Sequence, residues 1–301
     1  MKAVSFLSVK GGVGKTTLTV NTANELATKI SGSDRVLVID LDAQAGASVY
    51  LLGYDQQQAL GKQDKTVHGL LDKAIKGQSY NISDYITNPY AMNPRLEWSP
   101  RLDVIAGDSR IMDLEREIIS RSAAKGFGWA LILYQLLPRL SQLNYSFVFM
   151  DPPATLGALS RMVLGASSYF IIPVVPDDFG RVTISMFTKD FLTQAVLEIA
   201  SAGRQDRPLC GGLIFNKIKV RTKQDEIADK IADEIRGKKL YDKYPIPVYK
   251  TKLYDRIAYV KSLEEHKPLS KIKDRDDKAE KEFQSFFDEF YDYVVRDKAK
   301  G

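Results

Sequence analysis

Eight residues near the start of the sequence, Lys10-Gly11-Gly12-Val13-Gly14-Lys15-Thr16-Thr17, join a short apolar run to a helical pattern. The apolar run, Ala3 to Ser8, predicts a buried strand, and apolar spacing predicts a helix from about Lys15 to Lys29. The glycines let the backbone turn tightly, so that successive amide N–H groups point inward at the positive end of the helix. This order of strand, glycine-rich loop and helix predicts a P-loop that binds the phosphates of a nucleoside triphosphate.

The polar residues of this loop have separate expected roles. Lys15 can reach the β and γ phosphates, and the Thr16 hydroxyl is placed to ligate Mg²⁺. The general P-loop pattern begins with a glycine, where this sequence has Lys10. The alternative, a glycine-rich turn with chance lysines, is disfavoured because a strand precedes the loop and a helix follows it. We therefore expect a triphosphate site with an additional lysine.

Carboxylates follow two further apolar strands. The run Val36 to Asp40 is followed by Asp42, and Phe147 to Met150 leads directly into Asp151. In parallel sheets the carboxyl ends of the strands meet at one edge, where ligands bind. Asp151 has the position of the acidic residue that holds Mg²⁺ in phosphoryl-transfer enzymes. The sequence thus predicts that these carboxylates converge with the P-loop.

Apolar strands alternate with helical patterns along the chain. Further strands are predicted at Tyr169 to Pro173 and from Leu209 to Phe215. Such alternation indicates βαβ units, and hence an α/β fold of the P-loop NTPase class, with a mostly parallel twisted sheet and helices on both faces. No Gly/Ser-rich or Pro-rich linker divides the chain, so we expect a single domain over residues 1–301.

Residues 54–100 depart from this alternation. The segment contains Gln56-Gln57-Gln58, Asn-Pro steps and scattered aromatic residues. Its loose pattern predicts a variable surface excursion with one short helix, Val67 to Lys76.

The C-terminal segment, residues 274–301, places aromatic side chains at spacings of three and four and predicts an amphipathic helix. Its polar face carries Asp288, Glu289 and Asp292, whereas a helix that lies on a membrane presents Lys and Arg to anionic lipids. We therefore expect this helix to pack on the domain, with no stable membrane association.

Composition excludes several classes of chemistry. One cysteine, Cys210, and two histidines cannot supply a disulfide framework, a Cys/His zinc site or an iron–sulfur cluster within one chain. The longest charge-free stretches, Met162 to Pro176 and Gly126 to Pro138, fall short of the roughly 18 apolar residues of a membrane span. No secretory signal is recognisable at the N-terminus. We expect a cytoplasmic protein.

The segments quoted above resemble those of the ParA/MinD family of deviant Walker A ATPases, most closely the ParA (Soj-like) DNA-partition proteins. Residues 10–17 match the family signature, including its leading lysine. Asp40-Leu41-Asp42-Ala43-Gln44 is similar to the family's Asp-x-Asp-Pro-Gln, with Ala43 in place of a proline, which we expect to loosen the turn. Asp151-Pro152-Pro153-Ala154-Thr155-Leu156-Gly157 looks like its Walker B segment, and Val248-Tyr249-Lys250-Thr251 is similar to the segment that leads into its last strand.

This resemblance implies an ATP-driven homodimer in which two chains sandwich two ATP molecules. Lys10 would reach across the interface to the phosphates bound by the partner. Asp42 would orient the attacking water, and Lys15 would stabilise charge on the γ-phosphate. Mg²⁺ would be held by Thr16 and Asp151. The implied ATP-binding residues are Lys10, Gly11, Gly12, Val13, Gly14, Lys15, Thr16, Thr17 and, as the adenine-contacting residue, Asn216.

Positive charge is concentrated in the C-terminal third. The chain carries 43 basic and 38 acidic residues, a net charge of +5, whereas Lys217 to Lys273 holds 16 basic against 9 acidic residues. ParA-like dimers bind DNA without sequence preference, and side chains that neutralise phosphates give such salt-sensitive affinity. The alternative is an ordinary solvated face. The residues expected to contact double-stranded DNA are Lys217, Lys219, Arg221, Lys223, Lys250, Lys252 and Arg256, and Lys238, Lys239 and Lys243 could extend the patch.

The expected function is that of a nucleoid-associated DNA-partition ATPase. It would bind nonspecific DNA in the ATP state and hydrolyse ATP to segregate a plasmid or chromosome, stimulated by a ParB-like centromere-binding protein. Two alternatives stay open: a ParA-like ATPase that positions an organelle or protein cluster, and a MinD-like membrane ATPase. A nitrogenase-reductase-like electron donor is disfavoured, since it needs more cysteines than Cys210.

Overall fold

The computed structural model describes residues 1–177, 179–237, 245–273 and 277–297, with the backbone alone for 121–125. The strands in these residues are β1 (Lys2–Phe6), β2 (Arg35–Asp40), β3 (Ile86–Thr87), β4 (Leu102–Ile105), β5 (Tyr145–Asp151), β6 (Tyr169–Val174), β7 (Leu209–Ile218) and β8 (Val248–Tyr254). They form one sheet in the order β3-β4-β2-β5-β1-β6-β7-β8. Strand β3 runs antiparallel to β4, and the other pairs are parallel, which confirms the predicted α/β fold.

Helices lie between these strands and after β8. They are α1 (Lys15–Lys29), α2 (Gly46–Leu52), α3 (Tyr54–Lys62), α4 (Val67–Lys76), α5 (Pro89–Met92), α6 (Ile111–Lys125), α7 (Ile132–Gln142), α8 (Ala158–Ala166), α9 (Gly180–Ser185), α10 (Thr193–Ser201), α11 (Gln224–Gly237), α12 (Ile257–Glu264) and α13 (Lys278–Phe290). A π-helical segment, Met186–Leu192, joins α9 to α10, and a second one, Tyr291–Val295, extends α13.

Each face of the sheet has its own apolar core. Phe149 on β5 belongs to the cluster that includes Leu18 of α1 and Phe286 of α13. Its neighbour Val148 belongs to the opposite cluster, with Met162 of α8. Successive strand residues point to opposite faces, so a strand covered on both sides must be apolar throughout. This requirement explains the continuous apolar runs in the sequence.

The segment 54–100 is more ordered than its pattern predicts. It contains α3 and α5 in addition to α4, so the prediction of a single helix is wrong. Glutamine is a good helix former, and the Gln56–Gln58 run lies inside α3. Asn88 caps α5, because its Oδ1 accepts a hydrogen bond from the Ala91 N–H at 2.7 Å. Trp98 is buried and packs edge-on against Tyr50, so the segment also contributes to the core.

Strands β3 and β4 are not predicted from the sequence, and β8 contains residues 248–251, the segment expected to lead into the last strand. Strand β4 has only four residues, and β3 has two. Strand β8 lies at the end of the sheet, and three successive polar residues, Lys250, Thr251 and Lys252, interrupt its apolar residues. Short and terminal strands therefore lack the continuous apolar runs that predict the central strands.

Helix α13 packs on the sheet, as predicted for the C-terminal segment. Phe283, Phe286, Phe287 and Phe290 are buried, and Glu289 accepts hydrogen bonds from the N–H groups of Lys250 and Thr251 on β8 at 2.8 and 2.7 Å. The helix begins at Lys278, and residues 274–276 and 298–301 lie outside the described residues. No described helix combines the length and the apolar character that a membrane crossing requires.

Candidate functional site

The phosphate loop is held by strand β7 as well as by its own strand and helix. The loop leads from β1 into α1, and Gly14 precedes the helix with φ of 89°. The buried Asn216 on β7 donates from Nδ2 to the Val13 carbonyl at 2.8 Å. A Cβ atom on Gly14 would collide with this amide nitrogen, so both the backbone angle and the close approach require glycine. Asn216 thus reaches the predicted loop, and its contact with adenine stays a prediction.

The predicted metal ligands meet at the first turn of α1. The Thr16 hydroxyl donates to Asp151 Oδ2 at 2.8 Å, and the Thr19 hydroxyl donates to Oδ1 at 3.4 Å. Burial, followed by the nearby charge of Asp40, raises the pKa of Asp151 to about 8. Lys15 is also buried, and burial lowers its pKa although Asp151 and Asp42 act in the opposite direction. Buried groups of opposite charge therefore share this edge of the sheet.

These ligands fit a divalent cation. Mg²⁺ prefers oxygen ligands and is usually held by one or two carboxylates together with water and phosphate oxygens. The Asp151 carboxylate and the Thr16 hydroxyl supply such oxygens side by side. The raised pKa of Asp151 means that its negative charge is unfavourable in the buried position, and a neighbouring cation relieves this cost.

Asp42 lies in a closed turn between β2 and α2. Its Oδ1 accepts from the Gln44 N–H, and its carbonyl accepts from the Ala45 N–H, both at 2.9 Å. Ala45 has φ of 51°, so the chain enters α2 from a left-handed residue. The turn is closed by these bonds even though Ala43 stands where the resembling family has proline. The Asp42 side chain is half-buried at the same edge as Thr16.

Lys10 forms an ion pair within the chain. Its Nζ lies 2.5 Å from Asp177 Oδ2, and both side chains are partly exposed. Asp177 comes three residues after β6 ends, at the same edge of the sheet as the phosphate loop. Asp177 is not among the residues predicted from the sequence, although, like Asp42 and Asp151, it lies at the carboxyl end of a strand.

The seven residues predicted to bind DNA fall into two groups. Lys217, Lys219, Arg221 and Lys223 are exposed at and beyond the end of β7, in a segment we call the basic loop (residues 217–223). Lys250 is exposed on β8. Lys252, however, pairs with Asp229 at 2.9 Å and with Asp225 at 3.4 Å, and Arg256 pairs with Glu282 of α13. The further candidates Lys238, Lys239 and Lys243 lie outside the described residues.

Comparison with known proteins identifies the family. Residues 1–196 match the family model of an AAA domain, which is well over half of the chain. The virulence plasmid ParA family protein of Chlamydia psittaci is 30% identical over 179 residues, which cover 60% of this chain and 59% of the relative. The chain belongs to the ParA-like ATPases. The family resemblance predicted from residues 10–17, 40–44 and 151–157 is thereby confirmed.

Solved structures share the fold of this ParA-like chain. Apo McdA from Cyanothece is 18% identical, with a TM-score of 0.71 over 96% of this chain and 99% of that one. A plasmid partition protein from Borrelia burgdorferi bound to AMPPNP is also 18% identical, with a TM-score of 0.66 over 97% and 99% of the two chains. At this identity the likeness supports the fold and no individual residue.

Proposed function

We propose that this ParA-like protein is an ATP-dependent dimeric partition ATPase. It binds nonspecific double-stranded DNA in its ATP state and hydrolyses ATP to segregate a plasmid or chromosome. The observation that carries the proposal is that β7 serves both sites: Asn216 binds the phosphate loop, and the basic loop begins at the next residue, Lys217. A change at the nucleotide can therefore reach the basic loop along a single strand.

Nucleotide binding and hydrolysis are assigned to the residues that meet at the carboxyl edge of the sheet. The amides of residues 11–16 and the Lys15 ammonium bind the triphosphate, and the low dielectric around the buried Lys15 strengthens its attraction for phosphate. Thr16 and Asp151 would hold Mg²⁺, which when bound neutralises charge on the phosphate oxygens. Asp42, half-buried in its closed turn, orients the attacking water.

Dimer formation is assigned to Lys10. In the single chain Lys10 pairs with Asp177, and both side chains are partly exposed, so exchange of this partner for another anion costs little. We infer that the phosphates bound by a second copy replace Asp177 in the dimer. Each site is then complete only when two chains meet, and hydrolysis by the monomer is slow.

DNA binding is assigned to the basic loop together with Lys250. These lysine and arginine side chains are exposed, and phosphate neutralisation gives affinity that falls with salt. Lys252 and Arg256 are assigned a structural role because acidic side chains of α11 and α13 already neutralise them. Two copies of the basic loop in one dimer would add their phosphate contacts.

The partition role is supported by the named relatives, one of them a virulence plasmid ParA family protein and the other a plasmid partition protein. We therefore favour a plasmid or chromosome as cargo, nucleoid DNA as the matrix and a ParB-like centromere-binding protein as the stimulating partner. A membrane matrix is disfavoured, because the apolar face of α13 is buried against the sheet.

The test is retention of the purified protein on random-sequence duplex DNA with ATP and Mg²⁺, with ADP and Mg²⁺, or with neither, at two salt concentrations. The proposal predicts retention with ATP alone, weaker at the higher salt, together with ATP-dependent dimers in sedimentation. Retention that is equal in all nucleotide states would contradict it. Absence of retention in every state, with binding to anionic vesicles instead, would favour the membrane alternative.

A further inference from the structure

The carboxylate of Asp40, the last residue of β2, accepts hydrogen bonds from Asp42 and from Ser48 and so holds both ends of the segment between them. Oδ1 accepts from the Asp42 N–H at 3.1 Å. Oδ2 accepts from the Ser48 N–H at 2.8 Å and from the Ser48 hydroxyl at 2.6 Å. Asp40 and Ser48 are fully buried. The Asp42 turn and the first turns of α2 are therefore fixed to one carboxylate.

The Ser48 hydroxyl also reaches a second strand. While its hydrogen is donated to Asp40, its oxygen accepts from the Gly107 N–H at 2.8 Å, just beyond the end of β4. A Cβ atom on Gly107 would lie 2.9 Å from Asp40 Cγ, so this approach is too close for a larger residue. The hydroxyl donates one hydrogen bond and accepts another, which fixes its orientation. Ser48 thus joins the ends of β2 and β4 to helix α2.

Helix α2 is fixed on its other side as well. The Tyr50 hydroxyl accepts from Asn21 Nδ2 of α1 at 2.9 Å and bonds with the Ser262 hydroxyl of α12. Near the start of α2, a Cβ atom on Gly46 would be 3.5 Å from Thr16 Cγ2, so the helix lies directly against the predicted metal ligand. A displacement of α2 would therefore move the Asp42 turn relative to Thr16.

We propose that Ser48 is a positioning residue for hydrolysis: through Asp40, its hydroxyl holds the Asp42 turn in the arrangement that directs the Asp42 carboxylate toward the phosphate site. The inference rests on the proposed ATPase function. Without the hydroxyl, Asp40 keeps two of its three donors and the Gly107 N–H loses its acceptor, so the turn gains freedom. The phosphate loop is untouched by this change.

The test compares Ser48→Ala with Ser167→Ala. Ser167 is an equally buried serine whose hydroxyl donates to the Val163 carbonyl and bonds with the Ser5 hydroxyl, each at 2.8 Å, at the opposite edge of the sheet. For Ser48→Ala we expect kcat to fall about tenfold or more while ATP affinity changes less than about twofold, since a small misplacement costs rate rather than binding. Amide hydrogen exchange at residues 42–45 rises in Ser48→Ala alone, and Ser48→Thr restores kcat.

Three results would overturn the inference. The first is an equal kcat in Ser48→Ala and Ser167→Ala when the wild type is active. The second is a parallel loss of ATP affinity and kcat in Ser48→Ala, which indicates a general structural defect. The third is equal amide hydrogen exchange at residues 42–45 in the two variants. This measurement tests whether Ser48 holds the Asp42 turn even if the wild type hydrolyses no ATP and the proposed function fails. If Ser48→Ala does not fold, Asp40→Asn is expected to lower kcat in the same way, and an unchanged kcat in that variant would contradict the proposal.

Discussion

The nucleotide edge (residues 10–17, 40–48 and Asp151) and the basic C-terminal third present their charged residues in opposite ways. At the nucleotide edge, Lys15, Asp40 and Asp151 are buried and lie at strand ends or at the start of a helix. In the basic third, Arg221 is exposed while Lys252 is neutralised by acidic neighbours. A place at the carboxyl end of a buried strand thus fixes where a side chain lies. Charge composition alone does not predict where a basic side chain lies, because the fold determines which lysines pair with carboxylates.

Loss of the Asp42 carboxylate at the nucleotide edge should reduce activity most strongly. In Asp42→Ala, we expect kcat for ATP hydrolysis to fall about 100-fold or more, because the group that orients water is lost. ATP affinity changes little, since the phosphate loop and Lys15 are intact. Phosphate release at saturating ATP measures the effect. The control is Asp113→Ala, which removes an exposed carboxylate on α6. A kcat for Asp42→Ala within about threefold of the control would remove Asp42 from the mechanism.

A second set of variants compares the exposed basic loop with the paired residues Lys252 and Arg256. Arg221→Glu combined with Lys223→Glu should lower affinity for duplex DNA by about 100-fold at low salt, because it reverses two phosphate contacts. Lys252→Gln combined with Arg256→Gln should change DNA affinity less than about threefold, since these residues already pair with carboxylates. Fluorescence anisotropy of a labelled duplex with ATP measures both. Equal losses in the two double variants would contradict the division.

A smaller effect concerns the stability of the nucleotide-free, Mg²⁺-free protein. Burial raises the pKa of Asp151 to about 8 from its ordinary value of 3.8. The folded protein thus holds this proton more tightly than the unfolded chain, and the contribution to stability is lost progressively as pH rises from about 4 to about 8. Asp151→Asn cannot titrate, so its free energy of unfolding should gain about 4 kcal/mol relative to wild type between pH 5 and about 8, at about 1.4 kcal/mol per pH unit. Urea unfolding at several pH values measures this gain, and a difference that is independent of pH would contradict the burial of an unfavourable charge.

The smallest expected effect concerns β7, the strand that joins the two regions. Burial raises the pKa of the Cys210 thiol to about 12. The native protein should therefore show negligible alkylation by iodoacetamide at pH 8, and the unfolded protein should react fully. Mass spectrometry of the native and urea-treated chains measures the difference. Rapid native alkylation would mean that β7 opens and cannot act as a rigid connection.

Sequence reasoning recovered the parts of the molecule that buried strands determine. The continuous apolar runs of β1, β2, β5, β6 and β7 are required by a sheet covered on both faces, and the predicted phosphate loop, Asp42 and Asp151 meet at its edge. The short β4 and the polar β8 lack such a continuous apolar run, so apolar patterning alone does not predict them.

Contacts between distant segments escaped for a different reason. Nothing in the sequence distinguishes Lys252 or Glu282 from other charged residues. Only the packing of α11 and α13 against β8 brings acidic side chains to Lys252 and Arg256. The sequence likewise does not predict the role of the Ser48 hydroxyl, because its hydrogen-bond partners lie at the end of β2 and beyond the end of β4. Such roles depend on tertiary contacts that neither periodicity nor motif spacing encodes.

Control of the basic loop by the nucleotide edge is tested most directly by the lifetime on DNA of wild type, Asp42→Ala and Lys15→Ala. Each protein is loaded on immobilised random-sequence duplex with ATP and Mg²⁺, and its dissociation is followed after a wash without nucleotide. We predict that Asp42→Ala dissociates more slowly than wild type, because it binds ATP without hydrolysing it, and that Lys15→Ala is not retained. Retention of Lys15→Ala to the same extent as wild type would contradict the control of DNA binding by nucleotide.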